Sequence, residues 1–164
     1  MLLPSRQGEY SFTWHGRGRT DHRESIMLDY RATTPGEPSM HFTEKCMTVE
    51  LPGRERGRVW TDPESGDVLR FDEQIAGMFE FRLPREHTAP NGPTSLVLER
   101  ADTSIKYHPV VFHDPDQTVL MPVSIERLTF FRNAHPPGMR ITQTFSNYRR
   151  FMTSARIVKD PGGR

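Results

Sequence analysis

Apolar and polar residues alternate along most of this chain. The alternation is clear between residues 10 and 14 and again between residues 26 and 30. A period of two is typical of a β-strand with one buried face. The polar stretch between the two segments contains Gly16 and Gly18, so together they predict a hairpin.

The segment from Gly57 to Phe71 predicts a second hairpin. Val59 and Trp60 precede the turn sequence Asp-Pro-Glu-Ser-Gly-Asp, and alternation resumes after it. Proline presets φ for a turn and glycine accepts a positive φ. The three acidic residues of this turn could also bind Ca²⁺ through oxygen ligands, but turn chemistry alone explains them.

The second half of the chain continues the pattern. A strand is predicted around Ile105 to Val111, in which Pro109 indicates an edge or a bulge because proline cannot donate to the ladder. A long strand follows over residues 119–131. Its apolar residues change phase, which predicts a bulge near Glu126 and Arg127 or a switch between two packed surfaces.

No long segment shows helical periodicity. We therefore predict a mainly β protein with little helix, built as a curled antiparallel meander or partial barrel of about seven to nine strands. Residues 1–157 are expected to form a single β domain, with residues 158–164 as a disordered tail. An abrupt start of the first strand and a missing upstream segment are both open alternatives.

Composition narrows the functional classes. The formal net charge is +1, so no overall electrostatic attraction predicts nucleic acid as a partner. Cys46 is the single cysteine, which excludes a thiolate metal cluster and an internal disulfide. Neither a transmembrane run nor a signal peptide is readable in the chain.

Candidate catalytic chemistry is sparse, and no cofactor is predicted. The chain has no G-x-S-x-G and no H-E-x-x-H motif. Histidines on different strands could still converge on a metal ion, as in small β-barrel enzymes, and this stays an alternative function. The seven histidines are His15, His22, His41, His87, His108, His113 and His135.

The hairpin residues also carry a family resemblance. The run Trp60 to Arg70 fits W-x-D-x-x-S-G-x-V-x-R and resembles the central hairpin of bacterial envelope proteins related to the outer-membrane lipoprotein-sorting carriers. Val119 to Val123 and Thr144 to Phe151 look like the last strands of secreted relatives. The resemblance covers roughly Arg56 to Ile157 and implies a half-barrel sheet.

The resemblance also implies a function. Such a protein shelters an acyl chain or a lipoprotein on its concave apolar face, without catalysis, in the periplasm or outside the cell. Members of that family are exported and cover the open face with helices, and this sequence shows neither feature. The compartment therefore depends on an upstream signal.

Six residues are predicted to contact the apolar ligand. They are large apolar side chains on the predicted strands: Trp14, Leu28, Trp60, Phe71, Ile125 and Phe145. The alternative is a structural or interaction module in which the open face docks another protein.

Overall fold

The computed structural model describes residues 4–43, 46–88, 90–113 and 115–151. This part of the chain is mainly β. Its two short 3₁₀ helices span Pro4–Glu9 and Arg85–His87. The strands are β1 (Tyr10–Thr20), β2 (Arg23–Ala32), β3 (Ser39–Phe42), β4 (Met47–Glu50), β5 (Glu55–Thr61), β6 (Val68–Ile75), β7 (Phe79–Arg82), β8 (Ser95–Phe112), β9 (Gln117–Arg132) and β10 (Gly138–Thr144).

One large antiparallel sheet holds eight of these strands. Its order is β1-β2-β5-β6-β8-β9-β10, with β7 also paired to β8, while β3 and β4 form a separate hairpin. Most neighbours in the sheet are also neighbours in sequence, because each connection is a short hairpin or a small insertion. The prediction of an antiparallel meander with little helix is confirmed, and the sheet is open rather than closed into a barrel.

Strand β8 pairs with three other strands of the large sheet. Along one edge it pairs first with β7 and then with β6, whose last partner on β8 is Lys106. Along the other edge it pairs with β9 as far as Phe112. Pro109 lies beyond the β6 pairing, on a stretch where only the β9 side is bonded. The structure thus places the proline at a position where one edge of the strand needs no donor.

Of the two predicted origins of the phase change in β9, the bulge near Glu126 and Arg127 is absent, and the apolar residues change from one face of the sheet to the other. Residues 124–130 of β9 pair regularly with β8, so no bulge lies at Glu126 and Arg127. The register shifts instead opposite Val123, between Lys106 and Tyr107. Leu128 changes the apparent phase because it sits on the opposite face from Ile125.

The hairpin between β5 and β6 forms as predicted. The Asp62 carboxylate accepts hydrogen bonds from the backbone N–H groups of Glu64 (2.9 Å) and Ser65 (3.1 Å), and Gly66 has a φ of 74°. These backbone bonds lower the pKa of Asp62, and the nearby Arg23 guanidinium adds to the effect. The acidic residue is therefore occupied in shaping the turn.

The core centres on Tyr30. Its ring stacks on Phe71 with centroids 5.5 Å apart and meets Tyr10 edge-on at 5.9 Å. Val59 completes the buried cluster. These residues lie on β1, β2, β5 and β6, so the core forms across four adjacent strands of the large sheet.

A glycine lets Tyr30 cross the neighbouring strand. Tyr30 is paired with Gly57, and Gly57 with Glu73. The Tyr30 hydroxyl donates to Glu73 Oε2 at 3.0 Å, and a Cβ atom on Gly57 would lie only 2.8 Å from that hydroxyl. The missing side chain at position 57 is what leaves room for this contact.

Candidate functional site

The cross-strand register sorts the side chains of the large sheet onto two faces. Directly opposed residues of antiparallel strands point to the same face, and the next residue along each strand points to the other. The apolar face is defined by one continuous row of partners: Trp14, Leu28, Val59, Phe71, Ile105 and Ile125. The polar face is defined by the adjacent row: Thr13, Asp29, Arg58, Asp72, Ser104 and Glu126.

Four of the six predicted ligand residues lie together in the apolar row. Trp14 is 57% exposed on the outer strand β1, and Leu28 beside it is partly buried. Phe71 is only 7% exposed because Tyr30 covers it. Ile125 is partly buried on β9. The exposed part of this row is therefore its β1 end, while its centre is filled by the core.

The other two predicted residues lie elsewhere. Phe145 follows β10, is 37% exposed, and donates its backbone N–H to the Val123 carbonyl at 3.0 Å. Trp60 lies on the polar face, because it is the next residue along β5 after Val59. The six residues are thus divided between two faces, and the alternation of Val59 and Trp60 is the sequence signal that separates them.

The guanidinium groups of two arginines lie over the ring of Trp60. The Cζ atom of Arg70 lies 4.7 Å from the indole centroid and that of Arg58 lies 5.8 Å from it. A guanidinium over an indole face is an attractive cation–π arrangement. Trp60 therefore belongs to the charged surface rather than to the apolar one.

The polar face carries a hydrogen-bonded ladder. Arg58 Nε donates to Asp29 Oδ1 at 2.6 Å, and His15 Nδ1 lies 2.9 Å from the other oxygen of the same carboxylate. Arg70 and Ser104 both donate to Asp72, the latter at 2.7 Å. The Arg58 guanidinium lowers the pKa of Asp29, with His15 adding to the effect. Ion pairing therefore favours the charged form of the Asp29 carboxylate.

A groove of about 970 Å³ lies over the polar face. Side chains from β1, β2, β5, β6, β8, β9 and β10 line it, so it crosses the sheet from one outer strand to the other. The sequence did not indicate this groove. The groove is lined by short segments of seven strands, and these segments are far apart in the sequence. Within one strand, an arginine at every second position is typical of a face exposed to solvent.

A partly buried carboxyl group on the apolar face makes stability depend on pH. Burial raises the pKa of Glu73, and the nearby Glu55 raises it further, while the Tyr30 hydrogen bond acts in the opposite direction. The folded protein therefore holds this proton to a higher pH than the unfolded chain does. Folding stability should fall as pH rises from the ordinary value of 4.5 through the raised pKa.

Replacing Glu73 with glutamine is expected to remove this loss of folding stability at rising pH. At pH 7 the variant should melt at a higher temperature than the parent, because an amide has no charge to desolvate. Below pH 4.5 the two proteins should melt at the same temperature, because the parent carboxyl is then protonated. Thermal melts between pH 3.5 and 8 test this. Glu64→Gln, in the exposed β5–β6 turn, is the control. A difference that is constant across this pH range would contradict the assignment.

The histidines of the described residues lie apart from one another on the sheet and in its loops. Within the described ranges, no three His, Cys, Asp or Glu side chains are grouped as a metal site would need. His15 and His108 each face a single aspartate, and His87 stacks on Phe42 with centroids 4.5 Å apart. Cys46 is an exposed free thiol near the Thr43 hydroxyl.

The predicted tail at residues 158–164 lies outside the described residues. In the part of the chain that the structure describes, no helix has the length and apolar character needed to cross a membrane. Comparison with known proteins found no matching family model, no similar curated protein and no similar solved structure.

Proposed function

We propose that this chain is a non-enzymatic binding module whose apolar face takes the acyl chain of a lipid or lipoprotein. The observation that carries the proposal is the exposed aromatic pair on β1. Trp14 is 57% and Phe12 is 44% exposed. Because they are two residues apart on one strand, they point to the same face.

Exposing such side chains to water is unfavourable in free energy. Burying a large apolar side chain is worth about 1.5–3 kcal/mol, and an indole and a phenyl ring side by side form an apolar patch that favours contact with another apolar surface. Both residues lie on an outer strand of the sheet. A ligand could therefore reach them without displacing any paired strand.

The core restricts where a ligand would lie. The stacked rings of Tyr30 and Phe71 fill the centre of the apolar row. Leu28 is partly buried and is paired with Trp14. The acyl chain would therefore lie along the β1–β2 side of the face, against Phe12, Trp14 and Leu28, and not inside an enclosed cavity. An envelope location, as the resemblance implies, belongs to the same proposal.

Trp14→Ala tests the proposal. Sedimentation with phosphatidylcholine vesicles should show that this variant partitions about tenfold more weakly than the parent, because it loses roughly 1.5–2 kcal/mol of apolar contact. In a Trp60→Phe background, Trp14 is the single tryptophan, and its emission should shift to shorter wavelength when vesicles are added.

The matched control is Met78→Ala. Met78 is 65% exposed but lies between β6 and β7, away from the aromatic pair. Equal partitioning of the two variants, or no partitioning of the parent, would rule out the acyl-chain site. Concentration-dependent self-association that Trp14→Ala abolishes, without any vesicle binding, would show a protein-docking module instead.

A further inference from the structure

We propose that the groove over the polar face is a binding site for a small ligand that carries an oxyanion group, centred on Arg31 and Arg56. The volume of about 970 Å³ lies at the upper end of the range of small-molecule sites, about 300–1,000 Å³. This site is on the opposite side of the sheet from the aromatic pair, so the inference is independent of the acyl-chain proposal.

The central observation is a pair of opposed like charges. Arg31 on β2 and Arg56 on β5 are direct cross-strand partners, and both line the groove. Directly opposed residues have Cβ atoms about 4.5–5.5 Å apart, and like charges in this position are destabilising. An anion bound between the two guanidinium groups would convert the repulsion into two attractions.

The neighbouring carboxylates do not neutralise this pair. Within the described residues, neither Arg31 nor Arg56 has a carboxylate in ion-pair distance. Three acidic groups of the groove are each bonded to a different arginine: Asp29 to Arg58, Asp72 to Arg70 and Asp102 to Arg100. A fourth, Glu73, accepts a hydrogen bond from the Tyr30 hydroxyl at 3.0 Å. Glu126 lies on β9, three strands away from β5 in the sheet.

The same row offers further polar contacts. Ser11 is opposite Arg31, and Gln74 is opposite Arg56. Both line the groove. The Gln74 amide can donate to an oxyanion beside the guanidinium groups. Beyond Gln74 the row passes Asp102, which is bonded to Arg100, and Leu128, and it ends at Arg140 on β10. Arg140 could meet a second anionic group on a longer ligand.

Guanidinium chemistry indicates the ligand class. Arginine presents donors in a planar fork that matches the two oxygens of a carboxylate or a phosphate, and such charge-assisted bonds are about twice as strong as neutral ones. Two forks on adjacent strands suit one phosphate or two carboxylates. Phosphate and carboxylate share this chemistry, so the experiment separates them.

Calorimetric titration of the full chain with tripolyphosphate and, separately, with citrate tests the site. We expect binding of at least one of these anions that weakens in high salt, as screening requires. Arg31→Gln and Arg56→Gln should each lower the affinity about tenfold or more. Each should also raise the melting temperature of the ligand-free protein, because the like-charge pair is removed.

The charge-matched control is Arg82→Gln, an exposed arginine on β7 that does not line the groove. Arg31→Lys retains the charge without the fork, so it should bind more weakly than the parent even if a glutamine variant fails to fold. Absence of binding of both anions, or an equal loss in Arg82→Gln, would overturn the proposal. Affinity that survives Arg31→Lys and Arg56→Gln would overturn it as well.

Discussion

Replacing Phe71 with alanine is expected to lower the free energy of unfolding by about 4 kcal/mol. Phe71 is 7% exposed, and its ring stacks on Tyr30 at a centroid distance of 5.5 Å. The truncation removes buried apolar surface and leaves a cavity against Tyr30 and Val59. Urea unfolding followed by far-ultraviolet circular dichroism measures the change.

The matched control is Phe151→Ala. Phe151 is 88% exposed, so this variant should stay within about 0.5 kcal/mol of the parent. The comparison also separates two roles for Phe71, which the sequence predicted as a ligand contact. Normal stability combined with weaker vesicle binding would show a ligand residue, whereas a large loss of stability shows a core residue.

Replacing Gly57 with alanine is expected to cost about 3 kcal/mol of unfolding free energy. The added Cβ would lie 1.9 Å from the carbonyl oxygen of Asp72 and 2.8 Å from the Tyr30 hydroxyl. Asp72 is on β6, the strand paired with β5. The backbone oxygen can move away only if this pairing is distorted, so the clash cannot be relieved by a rotamer change.

Gly8→Ala serves as the control for this substitution. A Cβ at Gly8 meets nothing within 4 Å, so its effect should be within about 0.5 kcal/mol. The same urea experiment compares the two variants. A Gly57→Ala protein as stable as the parent would show that Tyr30 does not cross β5 at this position.

The β5–β6 hairpin was predictable because its determinants are local. Asp62, Pro63 and Gly66 are close in sequence, and the bonds that shape the turn form among residues 62–67. Alternation before and after the turn indicates strands irrespective of what packs on them. The antiparallel order of most of the sheet follows for the same reason, since each short turn returns the chain beside the preceding strand.

The face of the sheet that each side chain occupies was harder to predict. The sequence predicts both Trp60 and Phe71 as contacts of one apolar ligand. Phe71 is the cross-strand partner of Val59, and Trp60 is the next residue after Val59, so Trp60 and Phe71 point to opposite faces of the sheet. Leu128 is a similar case, because it is an apolar residue on the polar face. Such a residue changes the phase of the apolar pattern, and a bulge would change it in the same way, so the two cannot be separated until the partner strand is known.

The candidate sites depend on residues that are distant in sequence. Arg31 and Arg56 are 25 positions apart, and nothing local indicates that they face one another. Tyr30 reaches Glu73 only because Gly57 lies between them in the register. Cross-strand partners are set by the pairing of whole strands, and a shift of one residue would exchange every side chain between the faces.

By itself, the sequence determined the strands, the tight β5–β6 turn and the antiparallel class, because alternation and turn chemistry act over a few residues. Only the tertiary structure decided which face each side chain occupies, where the core closes around Tyr30, and which arginines share a groove. Those properties arise from the register between strands, which depends on the burial of the whole sheet at once.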